Sequence, residues 1–356
     1  MTQQDDSFCL LSDETSKFGK KYECFHVSDT NGQLWVLGLH GNKIRKIHVK
    51  TLQDILGDID EVLEMEDNLT RKQILLNITS TMSDRAATQL KFNELLEEYR
   101  THILKEEFEE QWDEMSDAEK SSICTLNNFF CGLHVLVHVA EAASSCLLQA
   151  EKGLFESNSP IYDASFRKSN ASGCLRLIRT ASKAFSCGGD GKNGAYYSFS
   201  TYVKPLLTEH HLHSVPVERF RGNRFNVLFS NAAAVYFLIP NMKKSLEFND
   251  SNRLLKSVKY YLDQPEYVAG CKALGLIAHL ITIPLWCTIE DTMLHVLDSC
   301  SYYGELIDYL QECCENTQEF LSGNKMLSYC DEQSFLTNCI YQTLIKQNTT
   351  IWSARY

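Results

Sequence analysis

Two aspartates, Asp13 and Asp84, each come after a run of residues with the composition of a β-strand. Asp13 ends the opening run at residues 8–13, and Asp84 follows the run at residues 74–82. Two carboxylates that lie side by side can hold a divalent cation such as Mg²⁺ or Mn²⁺. Metal ions held in this way catalyse displacement at phosphodiesters, so the pair makes such chemistry a candidate function.

The segments between the two aspartates predict how a sheet would position them. Residues 22–27 and 33–39 are rich in β-branched and aromatic residues, and the intervening Asn31-Gly32 favours a hairpin turn. Apolar residues at helical spacing predict a crossover helix over residues 51–66. The expected order is therefore three antiparallel strands, a helix and a returning strand.

Whether the two aspartates lie side by side depends on which strand the returning strand pairs with. A strand reached through a helix is usually parallel to a neighbour, and open sheets place their sites beyond the carboxyl ends of parallel strands. Asp13 and Asp84 become neighbours if the returning strand, residues 74–82, pairs with the first. The alternative is structural: Asp13 begins a turn, and Asp84 or Ser83 caps a helix predicted at residues 85–104.

Composition bounds the class of protein. A chain of 356 residues with 44% hydrophobic content is typical of about two soluble domains. No run approaches 18 apolar residues and the first residues lack a signal pattern, so we expect neither secretion nor a membrane span. The fourteen cysteines are irregularly spaced without a Cys-x-x-Cys pair, which predicts reduced thiols and no zinc finger.

Charge is distributed unevenly along the chain. A net charge of −12 argues against strong binding of a DNA duplex by this chain alone. Acidic residues concentrate at 94–119, a pattern typical of a solvated helix face. Basic residues cluster at three places: Lys43, Arg45, Lys46 and Lys50; Arg167, Lys168, Arg176, Arg179 and Lys183; and Arg219, Arg221 and Arg224. These clusters could meet nucleic acid, although solvated surface is the favoured interpretation of the first two.

A long helix is predicted from the capping box Ser116-Asp-Ala-Glu119 to Gly153. Five polar residues would share one stripe of this helix: Asn127, Cys131, His134, His138 and Glu141. His134 and His138 at i and i+4 could ligate a metal, but a polar stripe that faces another element is the favoured alternative.

The strand pattern gives way to helical periodicity after Pro160. The predicted helices cover residues 173–186, 222–239, 252–262, 267–281, 284–297, 303–319 and 332–346. Residues 186–194 are rich in glycine but lack the pattern of a phosphate loop, which predicts a flexible connector. The fold class is therefore an α/β mixed-sheet core over residues 8–155 and a mainly helical domain over residues 160–356.

The chain has a predicted strand that ends at Asp13, two antiparallel strands, a helix and a strand that leads to Asp84. This order resembles that of the hAT superfamily of DNA transposases, which have a ribonuclease H-like fold. The resemblance spans about residues 8–240 and includes Cys131-Gly-Leu-His134, similar to the family's Cys-x-x-His motif. It also includes Arg224-Phe-Asn226, similar to an Arg-Trp-Asn-like motif with phenylalanine in place of tryptophan. The family's third acidic residue has no matching context here, and its zinc-binding recognition domain has no counterpart in this sequence.

The resemblance implies a mechanism. Asp13 and Asp84 would be the catalytic metal ligands for two Mg²⁺ or Mn²⁺ ions that promote DNA strand transfer. Cys131 and His134 would be structural, buried on the core-facing side of a helix and not bound to zinc. Arg224 and Asn226 would approach DNA. The expected partner is DNA, and no binding to a membrane is expected. The expected location is the nucleus, with the cytoplasm as the alternative. Assembly into a homo-oligomer is left open.

Two alternatives remain beside an active transposase. One is a catalytically inactive, transposon-derived module that binds DNA or protein, and the other is an unrelated α/β protein with a helical domain. The incomplete acidic set and the negative charge predict at most weak, salt-sensitive DNA binding and little or no sequence-specific cleavage by this chain alone.

Overall fold

The computed structural model describes residues 7–17, 20–42, 48–63, 69–155, 170–220, 226–248, 252–291, 293–295 and 297–346. The chain divides into two compact units, Met1–His134 and Val135–Tyr356. The fold is mixed α/β, and every strand assigned in the described residues belongs to the first unit.

The first unit contains a five-stranded sheet. Its strands are β1 (Phe8–Lys17), β2 (Lys20–Ser28), β3 (Leu34–Asn42), β4 (Ile78–Ser83) and β5 (Asn127–Phe130). They lie in the order β3-β2-β1-β4-β5. The first three strands are antiparallel, whereas β4 is parallel to β1 and β5 is parallel to β4. The predicted antiparallel meander and the parallel returning strand are both confirmed.

The first unit also contains five helices. They are α1 (His48–Val62), α2 (Leu69–Asn77), α3 (Ala87–Glu107), α4 (Glu109–Trp112) and α5 (Asp117–Cys124). Of these, α1, α2 and α3 pack on one face of the sheet. Leu10 and Phe25 on the strands pack in one buried cluster with Leu52 of α1, Leu75 of α2 and Phe92 of α3. Removing these apolar side chains from water stabilises the unit by about 1.5–3 kcal/mol per fully buried large residue.

The second unit consists of helices in the part of the chain that is described. Its elements are α6 (His134–Leu154), α7 (Gly173–Phe185), α8 (Tyr196–Glu209), α9 (Val227–Phe248), α10 (Arg253–Leu262), α11 (Pro265–Ile277), a π-helical turn (Ala278–Thr282), α12 (Ile283–Ile289), α13 (Ser299–Glu315), α14 (Thr317–Ser322), α15 (Glu332–Thr337) and α16 (Cys339–Ile345). Helix α6 begins at the last residue of the first unit, whereas the sequence pattern placed the whole of it in the α/β core.

One helix in the described part of the chain, Pro265–Ile289, is long and apolar enough to cross a membrane by length and composition alone. Within the protein, 67% of the most apolar 18-residue stretch of this helix is buried. The buried core helix of a soluble protein has the same length and composition.

Several predicted elements differ from the structure. The predicted strand at 74–82 is wrong in its first half, because residues 74–77 complete α2. The predicted long helix from the Ser116 capping box is also wrong. The capping box forms, but α5 ends at Cys124 and the strand β5 interrupts the helical pattern. Asn127 and Cys131 therefore do not share a helical stripe with His134.

The glycine-rich segment at residues 186–194 is a wound loop with its own hydrogen bonds. The Asp190 carboxylate accepts from the backbone N–H groups of Lys192 at 3.0 Å and Asn193 at 2.9 Å. These bonds lower the pKa of Asp190 to about 2. A Cβ on Gly189 would lie 2.5 Å from the carbonyl oxygen of Lys183, so the close winding requires glycine there.

Candidate functional site

Asp13 lies in β1, and Asp84 is the residue that follows the neighbouring parallel strand β4. The β1–β4 register pairs Leu10 with Thr81 and Leu11 with Met82. Two residues further along each chain are Asp13 and Asp84. Adjacent strands lie about 4.8 Å apart. The approach of the two carboxylates stays a prediction, because the pairing of β1 with β4 ends at Leu11 and Met82.

The position of Asp13 within its strand differs from the prediction. β1 does not end at Asp13 but continues to Lys17, paired with β2. The alternative interpretation, in which Asp13 begins a turn, is therefore wrong. The backbone of Asp13 is described, whereas its side chain lies outside the described part of the structure.

Asp84 follows the end of β4 and is half-buried. Its Oδ1 atom accepts a hydrogen bond from the backbone N–H of Ala86 at 3.1 Å. Ala86, not Asp84 or Ser83, is the N-cap residue of α3, and the Ser83 hydroxyl donates to the carbonyl oxygen of Asp84 at 3.0 Å. Asp84 thus closes the turn that leads from β4 into α3, which places its carboxylate at the carboxyl edge of the sheet.

A buried side-chain hydrogen bond holds β1 and α3 together beside this edge. The hydroxyl of Ser12, the residue before Asp13, donates to Oε1 of Gln89 in α3 at 2.9 Å. Both side chains are buried, so water competes little for the bond. The bond fixes the strand that carries Asp13 against the helix that follows Asp84.

Cys131 and His134 lie near the same edge of the sheet. Cys131 is half-buried in the turn after β5, and its backbone N–H donates to the carbonyl oxygen of Ser83 at 2.9 Å. His134 is the first residue of α6, also half-buried, and its N–H donates to the carbonyl oxygen of Cys131 at 3.1 Å. The expectation that both residues lie on the buried face of a helix is wrong. Their turn instead ties the end of β5 to the residue before Asp84.

His138, the second histidine of the i, i+4 pair, is exposed. Its Nδ1 lies 3.6 Å from a carboxylate oxygen of Glu141, one turn along α6. A surface contact of this kind contributes little to stability.

Arg85 is a residue at this edge that the sequence did not single out. Its guanidinium lies 5.5 Å from the centre of the Phe130 ring at the end of β5, and the side chain is exposed. Stacking on an aromatic face leaves the guanidinium N–H groups available to an anion. Its position next to Asp84 is the feature of the sequence that could have identified Arg85 as a candidate site residue.

A buried arginine positions the two parallel strands. Arg100 of α3 donates to the carbonyl oxygens of Leu75 at 3.2 Å and Leu76 at 3.0 Å, near the end of α2. It also donates to the carbonyl oxygens of Ile123 and Cys124, at the end of α5. The ends of these helices lead directly into β4 and β5, so one guanidinium orders the entry to both strands.

Of the two residues expected to approach DNA, Arg224 and Asn226, the structure describes only Asn226. Arg224 lies outside the described residues. Asn226 is half-buried before α9, and its Oδ1 accepts a hydrogen bond from the Thr282 hydroxyl in the π-helical turn. Asn226 also lines a cavity of about 340 Å³ together with Glu218 and Ser230.

A basic surface lies on two helices that pack against each other, α7 and α10. Neither helix contains an acidic residue. Exposed cations on this surface are Arg179 and Lys183 of α7 and Arg253 and Lys256 of α10, of which Lys183 lies 3.4 Å from a carboxylate oxygen of Asp190. Arg176 of α7 is half-buried, with its guanidinium 5.6 Å from the centre of the Tyr261 ring. Arg253 and Ser257 line two adjoining grooves along α10, one with Lys183 and the other with Lys256. The sequence had identified the α7 cations but not their juxtaposition with α10.

Among the side chains that the structure describes, no group of three His, Cys, Asp or Glu residues is close enough to hold a metal ion. The side chain of Asp13 is not among them. No protein-family model and no curated protein sequence matches this chain.

Proposed function

We propose that the first unit is a ribonuclease H-like core, similar to that of hAT-superfamily transposases, in which Asp13 and Asp84 bind divalent metal ions for DNA strand transfer. The observation that carries the proposal is the parallel pairing of β1 with β4, whose last residue pair, Leu11 and Met82, lies two positions before each aspartate. The succession of antiparallel meander, crossover helices and parallel strand also supports it.

The residues at this edge fit a hard divalent cation. Carboxylate oxygens are the ligands that Mg²⁺ and Mn²⁺ prefer in proteins, and the strand spacing is short enough for two aspartates to share an ion. Bound there, such ions supply activation of the attacking oxygen and stabilisation of the leaving oxygen. The Asp84 carboxylate already holds one backbone N–H bond, which restricts its orientation.

Cationic side chains of this chain would position the nucleic acid. Arg85, stacked on Phe130, is next in sequence to Asp84 and would contact the phosphate nearest the carboxylates. The basic surface of α7 and α10 supports phosphate contacts in the second unit, although the net charge of −12 keeps such binding weak and sensitive to salt. A protein with this function acts in the nucleus, where its DNA partner resides.

The second candidate function is a catalytically inactive module derived from a transposon. The bond from Ala86 to Asp84 favours it, because closing the turn into α3 is sufficient reason for an aspartate at that position. In this candidate the fold and the basic surface persist without strand cleavage.

Titration with Mn²⁺, followed by calorimetry and by the electron paramagnetic resonance of the free ion, tests the proposed site. We expect stoichiometric binding that is lost in Asp13→Asn and in Asp84→Asn. Asp54→Asn, on the exposed face of α1, is the matched control and keeps the ion. Binding that survives both substitutions, or no binding at all, contradicts the metal site.

A strand-cleavage assay on DNA then separates the two candidate functions. Cleavage with Mg²⁺ or Mn²⁺ that both substitutions abolish establishes an active enzyme. An intact metal site without cleavage establishes the inactive module.

A further inference from the structure

Cys24 and His26 lie close together on one face of the sheet. Their neighbours in β2, Phe25 and Val27, are buried in the apolar cluster that packs against α1, α2 and α3. Because successive side chains of a strand alternate between the two faces, Cys24 and His26 lie on the face away from these helices. Sγ of Cys24 lies 3.6 Å from Nε2 of His26, and both side chains are half-buried. The two donor atoms are therefore held side by side where an ion from solvent can reach them.

The distance between these two atoms is the one that a tetrahedral zinc site requires. Zinc lies about 2.3 Å from a thiolate sulfur and about 2.0–2.1 Å from an imidazole nitrogen, which at the tetrahedral angle sets the two donors about 3.5–3.6 Å apart. The side chains of Cys24 and His26 already have this separation, so they can take one ion without rearrangement. Sulfur and nitrogen donors also favour zinc over magnesium, which prefers oxygen.

The strand register supplies a third ligand. Asp13 of β1 pairs directly with Cys24, and Leu11 pairs with His26. Residues directly opposite each other in an antiparallel pair belong to the same face, with Cβ atoms about 4.5–5.5 Å apart. Asp13 therefore belongs to the face that carries Cys24 and His26, at the position next to the thiol. A carboxylate completes the set of ligand types that zinc sites in proteins use.

Apolar residues occupy the other positions directly opposite the pair. Leu11 of β1 and Val36 of β3 flank His26, and Leu39 of β3 flanks Cys24. Apolar surroundings lower the local dielectric constant and strengthen the attraction between a divalent cation and a thiolate. These three side chains cannot coordinate an ion, so we expect water in the fourth position of a tetrahedral site.

We infer that Cys24, His26 and Asp13 bind a Zn²⁺ ion. The ligand atoms are the Cys24 sulfur as thiolate, Nε2 of neutral His26 and a carboxylate oxygen of Asp13. Binding releases the thiol proton to solvent, because only the thiolate is a ligand. The zinc site stands without the proposed function, since Cys24 and His26 play no part in that function.

The shared ligand makes zinc a regulator of the proposed metal site, and this second step rests on the proposed function. Two divalent cations that share one carboxylate repel each other, so zinc at Cys24 and His26 lowers the affinity of Asp13 and Asp84 for Mn²⁺ or Mg²⁺. Zinc is also the tighter binder at a ligand for which it competes with manganese. Strand cleavage that depends on Mn²⁺ is therefore expected to be inhibited by zinc.

Calorimetric titration with Zn²⁺, in the presence of a phosphine that keeps the thiols reduced, tests the zinc site. We expect stoichiometric binding, and Cys24→Ser and His26→Gln each raise the dissociation constant by at least about a hundredfold, the upper end of the cost of losing an outer-shell partner. Asp13→Asn raises it by at least about tenfold. The matched controls keep wild-type affinity: Cys9→Ser, also half-buried on β1, and His102→Gln, exposed on α3. Far-UV circular dichroism verifies that each variant folds.

Co²⁺ in place of Zn²⁺ adds a readout of the ligands themselves. A tetrahedral Co²⁺ ion with a thiolate ligand has intense visible bands and a sulfur-to-metal charge-transfer band in the near ultraviolet. We expect both in wild type and no charge-transfer band in Cys24→Ser. A wild-type chain that binds no stoichiometric zinc overturns the inference, as does zinc binding that Cys24→Ser or Asp13→Asn leaves unchanged.

Electron paramagnetic resonance of free Mn²⁺ separates the zinc site from the proposed function. Zinc should raise the dissociation constant for Mn²⁺ by at least about tenfold in wild type and leave it unchanged in Cys24→Ser. Asp84→Asn loses Mn²⁺ and keeps zinc, whereas Cys24→Ser loses zinc and keeps Mn²⁺. A wild-type chain that binds zinc and no Mn²⁺ contradicts the proposed function and supports the zinc site. Mn²⁺ binding that zinc does not alter in wild type overturns the regulation.

Discussion

The carboxylate of Glu151 on α6 accepts a hydrogen bond from the backbone N–H of Cys174 at 2.9 Å. The same carboxylate also accepts from the N–H of Gly173, so it satisfies two N–H groups in the first turn of α7 that have no partner within their own helix. Glu151 is 2% exposed, and this burial raises the pKa of its carboxyl group. The contact fastens α6 to the start of α7.

Replacing Glu151 by leucine is expected to lower the free energy of unfolding by about 2–4 kcal/mol, because two buried N–H groups lose their acceptor. Glu151→Gln keeps one acceptor oxygen and costs about half as much. Urea unfolding followed by circular dichroism measures both changes. Glu141→Leu, exposed on the same helix, is the control and changes stability little. Equal stability of the two leucine variants would contradict a structural role for Glu151.

Arg100 provides a prediction for the first unit. Arg100→Leu leaves the carbonyl oxygens at the ends of α2 and α5 without their buried donor, so we expect a loss of about 3 kcal/mol in unfolding free energy. Hydrogen exchange of the β5 amides should accelerate in parallel, since α5 leads into that strand. Lys105→Leu, exposed on the same helix, serves as the control. Unchanged exchange in β5 in the Arg100 variant would show that other contacts hold the strand.

Much of the first unit was predictable because its determinants are local. Asn31-Gly32 forms the hairpin turn between β2 and β3 with Gly32 at φ 75°, and Ser116 forms the capping box with Glu119. The parallel pairing of β1 with β4 follows from topology, because a crossover from the meander returns a strand parallel to β1.

The misassigned elements depend on contacts that are distant in sequence. Residues 74–77 have the apolar run of a strand but complete a helix whose last carbonyl groups Arg100 binds. Residues 127–130 are a strand because β4 offers them a parallel partner. Helix α8 was not predicted, since its internal Pro205 and its aromatic residues obscure the helical pattern. Nor does the sequence around Glu151 indicate that its carboxylate binds a helix more than twenty residues away.

His279 gives the second unit a pH dependence. Burial between aromatic rings of Phe335 and Tyr341 lowers the pKa of His279 to about 4. The folded state therefore favours neutral imidazole, so the stability it contributes is complete above the unfolded pKa of about 6.5 and is lost as pH falls from there towards 4.

Comparing wild type with His279→Phe isolates this effect, because phenylalanine keeps an aromatic ring and does not titrate. We expect wild type to lose about 3 kcal/mol relative to the variant between pH 7 and pH 4, measured by urea unfolding at each pH. Parallel stability curves for the two proteins would exclude His279 as the titrating group.

Gly173 is a position where packing forbids a side chain. A Cβ there would lie 1.9 Å from Cζ of Tyr267, a fully buried ring. Gly173→Ala should therefore destabilise the protein by about 3 kcal/mol or more. Gly57→Ala on α1 meets open space and should stabilise by about 0.5–1 kcal/mol. Thermal unfolding of both variants checks the contrast, and a shift of the same sign in both would contradict it.

The place of β1 at the centre of the sheet has a consequence for how the chain folds. β1 meets β2 through a local hairpin, whereas its pairing with β4 joins residues about seventy positions apart and closes a long loop. The meander can thus form early, while β1 and β4 pair only after α1 and α2 have crossed over. A chain interrupted between the two strands would keep the hairpin and lack the β1–β4 pairing, so that pairing itself reports on completed folding of the first unit.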